Sequence, residues 1–259
     1  MILRILTLIF LFAGSFTGLA QSRFFTDSLF SKSLNEYRRI TVYLPHSYDT
    51  ADSVSYPVIY TTDGQLITES YRHRIDSLIE EKLIKPVVLI ASHSNEKPAG
   101  GVEYRNLDYM RMRYKQDFPL TARFDQHMQF FTKELRAYAE SNYRVSDLAG
   151  QRSFFGVSNG ADFGVSLAQD HPEFIKNYVL LSVFNGSKVP FKWKKRDAVY
   201  FYLGYGLKEP PNVSKEVLRM EKYLISKKLN HTVITWNGGH ERPFWEQTFI
   251  KSLIKLVPF

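Results

Sequence analysis

The spacing of apolar and polar positions changes repeatedly along residues 23–259, and it separates strands from helices. Alternation over residues 38–44 (RRITVYL) predicts a strand, with residues 28–34 as its hairpin partner. Runs that are apolar throughout predict buried strands, and apolar residues three or four positions apart predict helices. The buried strands cover residues 57–61, 86–91, 152–157, 178–183, 198–204 and 231–236. The helices cover residues 66–83, 122–142, 159–169, 213–228 and about 244 onward.

This order of elements predicts the fold class. Apolar strands separated by helices are typical of an α/β fold, in which a mostly parallel sheet is covered by helices on both faces. In such sheets the functional groups gather on loops at the carboxyl ends of the strands. No stretch rich in Gly, Ser or Pro suggests a linker, so residues 21–259 are expected to form a single domain.

The first twenty residues have a different pattern. Arg4 lies in an otherwise apolar run, Ile5 to Phe12, and small residues follow up to Ala20. This pattern is typical of a secretory signal peptide cleaved after Ala20. The run is shorter than the roughly 20 residues of a membrane-spanning helix. We therefore expect residues 1–20 to be removed and the mature protein to be periplasmic or secreted, without stable membrane insertion; an uncleaved anchor is the alternative.

The amino-acid composition excludes several kinds of functional site. The chain of 259 residues has no Cys, which excludes a Cys nucleophile, a thiolate metal site and disulfides. Its formal charge is +8, or +7 once Arg4 is removed (8 − 1). The basic residues include two runs, Arg105, Arg111, Arg113 and Lys115, and then Lys192, Lys194, Lys195 and Arg196. These runs are either solvated surface or a means of attracting an anionic substrate. No motif for nucleic-acid binding accompanies them, so nucleic acid is not an expected partner.

The sequence G-x-S-x-G occurs at residues 156–160, with Ser158 at its centre. Such a turn lifts a Ser hydroxyl above the sheet edge, and its glycines avoid side chains that would collide there. The bare motif is weak evidence, but a predicted strand precedes it and a predicted helix follows it, as the chemistry requires. Ser158 is therefore the candidate nucleophile.

A Ser hydroxyl needs a base to remove its proton, and His240 is the best placed histidine. It follows Gly238-Gly239, after the last predicted strand and before the last helix. The orienting acid should follow the preceding strand, where Glu209 is the first carboxylate and Glu216 is the reserve candidate. A Ser–His pair without an acid is the third possibility. His93, just after a strand, is kept only as a possible pocket residue.

The oxyanion of the tetrahedral intermediate needs two N–H donors. The backbone N–H of Asn159, which follows the nucleophile, is one candidate. The other is the backbone N–H of Gln65, on the loop Asp63-Gly64-Gln65 after an early strand. No metal centre and no cofactor are expected.

Several segments together resemble the putative esterase family, the esterase D-like group, across nearly the whole mature chain. The matching segments, in the family's order, are VYLPHSY (42–48), YPVIYTTDGQ (56–65), FFTKELRAYAESNYRV (130–145), FFGVSNGADFGVSLAQDHPE (154–173) and GGHERPFW (238–245). The resemblance implies the α/β-hydrolase fold, with Ser158 as nucleophile, His240 as base and the Asp-Gly segment as oxyanion loop. Glu209 matches the acid position only loosely. Asn159 departs from the family, where many members have Met or Leu.

The family includes siderophore esterases, feruloyl and acetyl-xylan esterases, S-formylglutathione hydrolases and mycolyl acyltransferases. The leading hypothesis is a serine carboxylic-ester hydrolase that forms an acyl-enzyme and acts on an acylated carbohydrate. The alternative substrate is a ferric catecholate siderophore, whose negative charge would suit the basic runs. Two other possibilities are an acyltransferase and a binding module on a hydrolase fold that has lost its catalysis.

Overall fold

The structure is a computed structural model that describes residues 21–50, 54–95, 97–99, 102–111, 122–184 and 190–259. The strands are β1 (Arg23–Ser31), β2 (Glu36–Leu44), β3 (Val58–Thr61), β4 (Val88–Ser92), β5 (Pro98–Ala99), β6 (Val102–Glu103), β7 (Arg152–Val157), β8 (Asn177–Leu181), β9 (Tyr200–Gly206) and β10 (His231–Trp236). The helices are α1 (Glu69–Glu80), α2 (Tyr104–Tyr109), α3 (Arg123–Gln129), α4 (Arg136–Asn142), α5 (Asn159–Asp170), α6 (Pro211–Ser226) and α7 (Arg242–Leu256). A π-helical stretch, Phe130–Leu135, joins α3 to α4.

Eight of the strands form one sheet in the order β1-β2-β4-β3-β7-β8-β9-β10. The strands from β4 to β10 in this order are parallel, and β2 pairs antiparallel with both β1 and β4. The parallel strands end at one common edge, so the loops after β3, β4, β7, β8, β9 and β10 meet there. This edge holds the candidate site.

Both faces of the sheet are covered, because successive side chains of a strand point to opposite faces. On β7, Phe154 packs against Phe163 of α5, with ring centroids 6.1 Å apart. The next residue, Phe155, stacks on Phe249 of α7 at 4.3 Å. The first face carries α3, α4, α5 and α6, and the second carries α1 and α7. The core therefore lies in two layers that fix β7 from both sides.

The prediction of an α/β fold with a mostly parallel sheet is confirmed, and β7 and β10 have the predicted bounds. The hairpin partner of β2 begins and ends earlier than predicted, at 23–31 instead of 28–34. Residues 32–35 form the turn, where Asn35 has a φ of 51° and Glu134 binds the backbone and hydroxyl of Ser33. No helix of the described residues is long and apolar enough to cross a membrane.

Candidate active site

Ser158 occupies a sharp turn between β7 and α5. Its backbone has φ 55° and ψ −125°, a conformation that costs a residue other than Gly roughly 1–3 kcal/mol. Its N–H donates to the carbonyl of Leu181 on β8 at 2.9 Å, which holds the turn against the sheet. The flanking glycines are required: a Cβ on Gly156 would lie 2.5 Å from the carbonyl oxygen of Gly160, and one on Gly160 would collide with Thr62. The local strain is typical of a nucleophile held out for reaction.

Glu209 and His240 come together from two neighbouring loops. Nδ1 of His240 lies 2.7 Å from Oε1 of Glu209. The Glu209 side chain is fully buried, whereas that of His240 is 39% exposed. Because an ionised carboxylate only accepts hydrogen bonds, the proton of a neutral imidazole lies on Nδ1 and Nε2 is left basic. This is the tautomer that a general base for a Ser hydroxyl needs.

The buried carboxylate of Glu209 is held by two further donors. Oε1 accepts from the hydroxyl of Ser182 at 2.6 Å, and Oε2 accepts from the N–H of Gly206 at 3.0 Å. The two loops are also tied to each other, since the N–H of Lys208 donates to the carbonyl of Gly238 at 2.9 Å. Three hydrogen bonds therefore hold the buried carboxylate, and no Lys or Arg of the described residues pairs with it.

Trp245 supports the same group from α7. Its indole N–H donates to the Ser182 hydroxyl at 2.9 Å, and that hydroxyl in turn donates to Glu209. The Trp245 ring meets the His240 ring edge-on, at 4.7 Å between centroids and 89° between planes. Sequence reasoning missed Ser182 and Trp245. The signal for Ser182 was its position directly after β8, at the functional edge of the sheet.

The reserve acid, Glu216, does not contact His240. It pairs with Arg219 on the same helix, α6, at 2.6 and 2.8 Å. Of the two carboxylates considered from the sequence, the structure thus places Glu209 on the imidazole. The catalytic roles of Ser158, His240 and Glu209 stay predictions.

The two predicted oxyanion donors lie at the same sheet edge. The N–H of Asn159 is the first of α5, and the first four N–H groups of a helix have no acceptor within it. Gln65 lies in a 3₁₀ turn, Gly64–Leu66, which Thr62 and Asp63 join to the end of β3. A Cβ on Gly64 would collide with the carbonyl of Ala91 on β4, so the turn can lie this close to the sheet only with Gly.

His93, the possible pocket residue, lies after β4 and bonds to the Thr41 hydroxyl through Nε2 at 2.8 Å. It lines a groove of about 680 Å³ together with Gln65, so the groove adjoins the oxyanion loop. On the other side of that loop a smaller cavity of about 200 Å³ contacts Leu66, Phe155 and Trp245. The smaller cavity is lined by Val157, next to Ser158, and the larger groove by Gln65, while neither is lined by Ser158 or His240 themselves.

The sequence left open whether the basic runs are solvated surface or attract an anionic substrate, and the structure places their described residues in different parts of the fold. Lys195 and Arg196 lie in a turn before Tyr200, the first residue of β9, and thus at the amino edge of the sheet. A strand of seven residues places them about 20 Å from the functional edge. Arg111 pairs with Asp170, the last residue of α5, at 2.6 Å. For Lys195 and Arg196 the position at the amino edge follows from the sequence, because residues directly before a parallel strand lie at its amino end.

The remaining residues of the first basic run are Arg105, Arg113 and Lys115. Arg105 is turned inward and pairs with the buried Asp63. Arg113 and Lys115 lie outside the described residues. Among the residues that the structure describes, no cluster of three or more His, Asp or Glu side chains could hold a metal ion.

The fold is that of the α/β hydrolases, and the site has the arrangement of groups expected for a serine esterase. The family model described as "Putative esterase" matches residues 31–256. The chain therefore belongs to this family, as the resemblance implied.

The chain is also similar to individual proteins and solved structures. The uncharacterized protein YjcH of Bacillus subtilis (strain 168) is 24% identical over 242 residues, 88% of this chain and 95% of that protein. A ferulic acid esterase structure is 19% identical, with a TM-score of 0.73 over 92% of this chain and 98% of the other. The enterobactin esterase FES of Shigella flexneri is 15% identical, with a TM-score of 0.69 over 90% of this chain and 59% of the other. At sequence identities of 19% and 15%, the structural similarity shows that the fold is shared.

Proposed function

We propose that the protein hydrolyses a carboxylic ester through an acyl-enzyme on Ser158. The observation that carries the proposal is the 2.7 Å bond between His240 and the buried Glu209, on the sheet edge where the strained turn presents Ser158. In this assignment His240 is the general base and Glu209 orients it. The N–H groups of Asn159 and Gln65 stabilise the oxyanion.

The reaction proceeds in two halves. Oγ of Ser158 attacks the ester carbonyl carbon while Nε2 of His240 takes the hydroxyl proton, and the carbonyl oxygen becomes the oxyanion. The bond to the alcohol oxygen then breaks, and the imidazolium returns the proton to the departing alcohol. Water repeats the sequence on the acyl-enzyme, releasing the acid and restoring Ser158.

The leading substrate class is an acylated carbohydrate. The small cavity, lined by Val157 next to Ser158, is the candidate space for the acyl group, and its volume of about 200 Å³ suits a short acyl group because sites for larger ligands have roughly 300–1,000 Å³. Tyr37, 73% exposed, lies on the rim of the larger groove and packs edge-on against Phe30 at 5.1 Å. This aromatic pair offers an apolar face on which a sugar or aryl ring can stack.

A second candidate is an ester that carries negative charge, such as a catecholate siderophore. The larger groove is lined by Arg39 and Lys97, both exposed and without a carboxylate partner among the described residues. The one acidic residue among those lining it, Glu36, is already paired with Arg38 at 2.6 Å. The free charge in the groove is therefore positive, and it lies beside the oxyanion loop.

The two substrate classes are separated by a pair of matched esters, one neutral and one with a carboxylate on the acyl group. The double variant Arg39→Gln/Lys97→Gln should lower kcat/KM for the anionic ester about three- to tenfold and leave the neutral ester unchanged. Lys192→Gln/Arg196→Gln, which removes the same charge before β9, is the control and should change neither. Equal effects of the two double variants on the anionic ester would remove the support for the anionic class.

We also propose that residues 1–20 are a cleaved signal peptide and that residues 21–259 form one exported catalytic domain. The support is the apolar run and small residues before Ala20. Expression of the whole chain in a bacterial host, followed by mass spectrometry of the periplasmic fraction, should give a mature protein that begins at Gln21. Recovery of the full-length chain in the membrane fraction would contradict cleavage.

Hydrolysis itself is tested with a panel of short acyl, feruloyl and catecholate esters. Wild-type protein should release acid from at least one ester, and Ser158→Ala should leave only the slow residue of catalysis supplied by binding and the oxyanion donors. Product analysis in the presence of an added alcohol distinguishes hydrolysis from acyl transfer. Equal turnover by the two proteins would end the serine-esterase assignment.

A further inference from the structure

Helix α2 contacts both of the loops that carry the proposed oxyanion donors. Three of its residues, Arg105, Asn106 and Tyr109, make these contacts and are called the α2 brace. The sequence predicted no helix in this segment and left Arg105 as either solvated surface or a group that attracts an anionic substrate. The contacts place it instead in the interior of the site.

The first contact is with Asp63, two residues before Gln65. Asp63 has a left-handed backbone with φ 55°, and its side chain is 2% exposed. Both carboxylate oxygens accept from Arg105, one from Nε at 2.7 Å and the other from Nη2 at 2.8 Å. A two-pronged pair of this kind fixes direction as well as distance.

The same residue is also held through its backbone. The N–H of Asp63 donates to the Tyr109 hydroxyl at 3.2 Å. Tyr109 is fully buried, and burial raises the pKa of its hydroxyl well above the ordinary range, so this group stays neutral. Arg105 also lies over the Tyr109 ring, 5.2 Å from its centroid. Asp63 is thus bonded to α2 by its side chain and by its main chain.

The second contact of α2 is made by Asn106, the residue that follows Arg105. The side-chain amide of Asn159 donates to the side-chain oxygen of Asn106. Asn159 is the residue whose own N–H is the other proposed oxyanion donor. A single short helix therefore connects the two donors, which belong to loops after different strands.

The helix that carries the brace is itself fixed. Asp108, with a fully buried side chain, accepts hydrogen bonds from Arg38 of β2 and from Arg123 of α3, the latter at 2.7 Å. The side chains of Arg38 and Arg123 are only 3% and 6% exposed. Burial of these paired charges leaves α2 little freedom to shift relative to the sheet.

We propose that Arg105 is a positioning residue for the oxyanion hole: by clamping Asp63, it fixes the direction of the Gln65 N–H relative to that of Asn159. The proposal rests on the proposed function. Oxyanion donors stabilise the transition state only when they point at the position that the charged oxygen will occupy. Arg105 acts through Asp63 and need not touch the substrate.

The test variant is Arg105→Lys, which keeps the charge and so does not leave the buried Asp63 carboxylate unpaired. A lysine cannot reproduce the two-pronged bond of the guanidinium. We expect kcat to fall about 10- to 100-fold with KM changed less than twofold, since full loss of one oxyanion donor costs about 10²- to 10³-fold. The inhibition constant of a trifluoromethyl ketone, which forms a charged tetrahedral adduct on the nucleophile, should rise in parallel.

Arg111→Lys is the matched control, because it changes an arginine that pairs with a carboxylate away from the site. It should keep kcat and the inhibition constant within twofold of wild type. The pH profile of kcat should keep its midpoint in Arg105→Lys, since the clamp acts on the oxyanion side and not on His240. The double variant Asp63→Asn/Arg105→Gln removes both charges together and should lose kcat at least as severely.

Thermal unfolding and circular dichroism separate positioning from folding. If folded Arg105→Lys has wild-type kcat and wild-type ketone affinity, the proposal is overturned. The same holds if its activity falls only in proportion to the unfolded fraction, or if KM alone changes. Failure of the proposed function is a different result, because wild-type protein would then neither hydrolyse esters nor bind the ketone.

Discussion

Replacing Glu209 with Gln tests the most strongly constrained group of the site. The carboxylate accepts three hydrogen bonds, from His240, from the Ser182 hydroxyl and from the N–H of Gly206. A glutamine side chain has the same size but only one accepting oxygen. If its NH₂ group faces Gly206, two donors oppose each other in a buried space. If it faces His240, Nδ1 must accept, and the proton moves to Nε2.

The second arrangement removes the clash at Gly206 but requires the Ser182 hydroxyl to turn its proton away, and it puts the imidazole in the wrong tautomer for accepting the Ser158 proton. We therefore expect Glu209→Gln to lower kcat by about 10²- to 10⁴-fold, which corresponds to about 3–5 kcal/mol of transition-state stabilisation. KM should change little, because the carboxylate is buried behind His240. The assay is steady-state hydrolysis of a short acyl nitrophenyl ester from pH 6 to pH 9, with circular dichroism to show that the variant is folded.

Glu216→Gln is the matched control for this experiment, since Glu216 pairs with Arg219 on α6 and does not contact His240. It should keep kcat within about twofold of wild type. A loss of less than about threefold in Glu209→Gln would refute the reasoning and point to a Ser–His pair that works without an orienting acid. A large loss in Glu216→Gln would mean that the reserve acid had been wrongly set aside.

Three further predictions use other parts of the structure. Trp245→Phe removes the indole N–H that binds Ser182, and kcat should fall about three- to tenfold in steady-state assays while the fold is kept. For wild-type protein, kcat/KM for the anionic ester should fall as salt rises from 0.02 to 0.5 M, and Arg39→Gln/Lys97→Gln should flatten that curve. Partial burial alone would raise the pKa of Glu134, but hydrogen bonds from two serine side chains and a backbone N–H outweigh it and hold the pKa below its ordinary value. The stability that this carboxylate contributes is present at neutral pH and is lost as the pH falls through its folded-state pKa. In urea unfolding, Glu134→Gln should therefore lower the free energy of unfolding by about 1 kcal/mol at pH 7 and by much less at pH 3.5.

The fold could be predicted from the sequence because its signals are local. Buried strands such as β7 and β10 could be recognised by their runs of apolar residues. Gly156 and Gly160 indicated the turn at Ser158, because a side chain at either position would collide with its neighbours. His240 could be chosen among the histidines because its loop follows the last strand. Each of these features is visible within a few residues of the chain.

The missed features depend on contacts between distant residues. Helix α2 has six residues, too few to show a helical period, and its polar side chains become buried only through partners such as Asp63 and Asn159. The inward position of Arg105 in the first basic run was missed for the same reason. A pattern of charge along the chain cannot show that Arg105 faces inward.

The central claim is that Ser158 becomes covalently acylated, and a fluorophosphonate probe tests it most directly, because the probe phosphonylates an activated serine as the ester would acylate it. Intact-mass and peptide mass spectrometry should show one adduct per chain, located on Ser158. Ser158→Ala should give no adduct, and His240→Ala should label far more slowly because the hydroxyl keeps its proton. An adduct on another residue, or equal labelling of wild type and Ser158→Ala, would contradict the account.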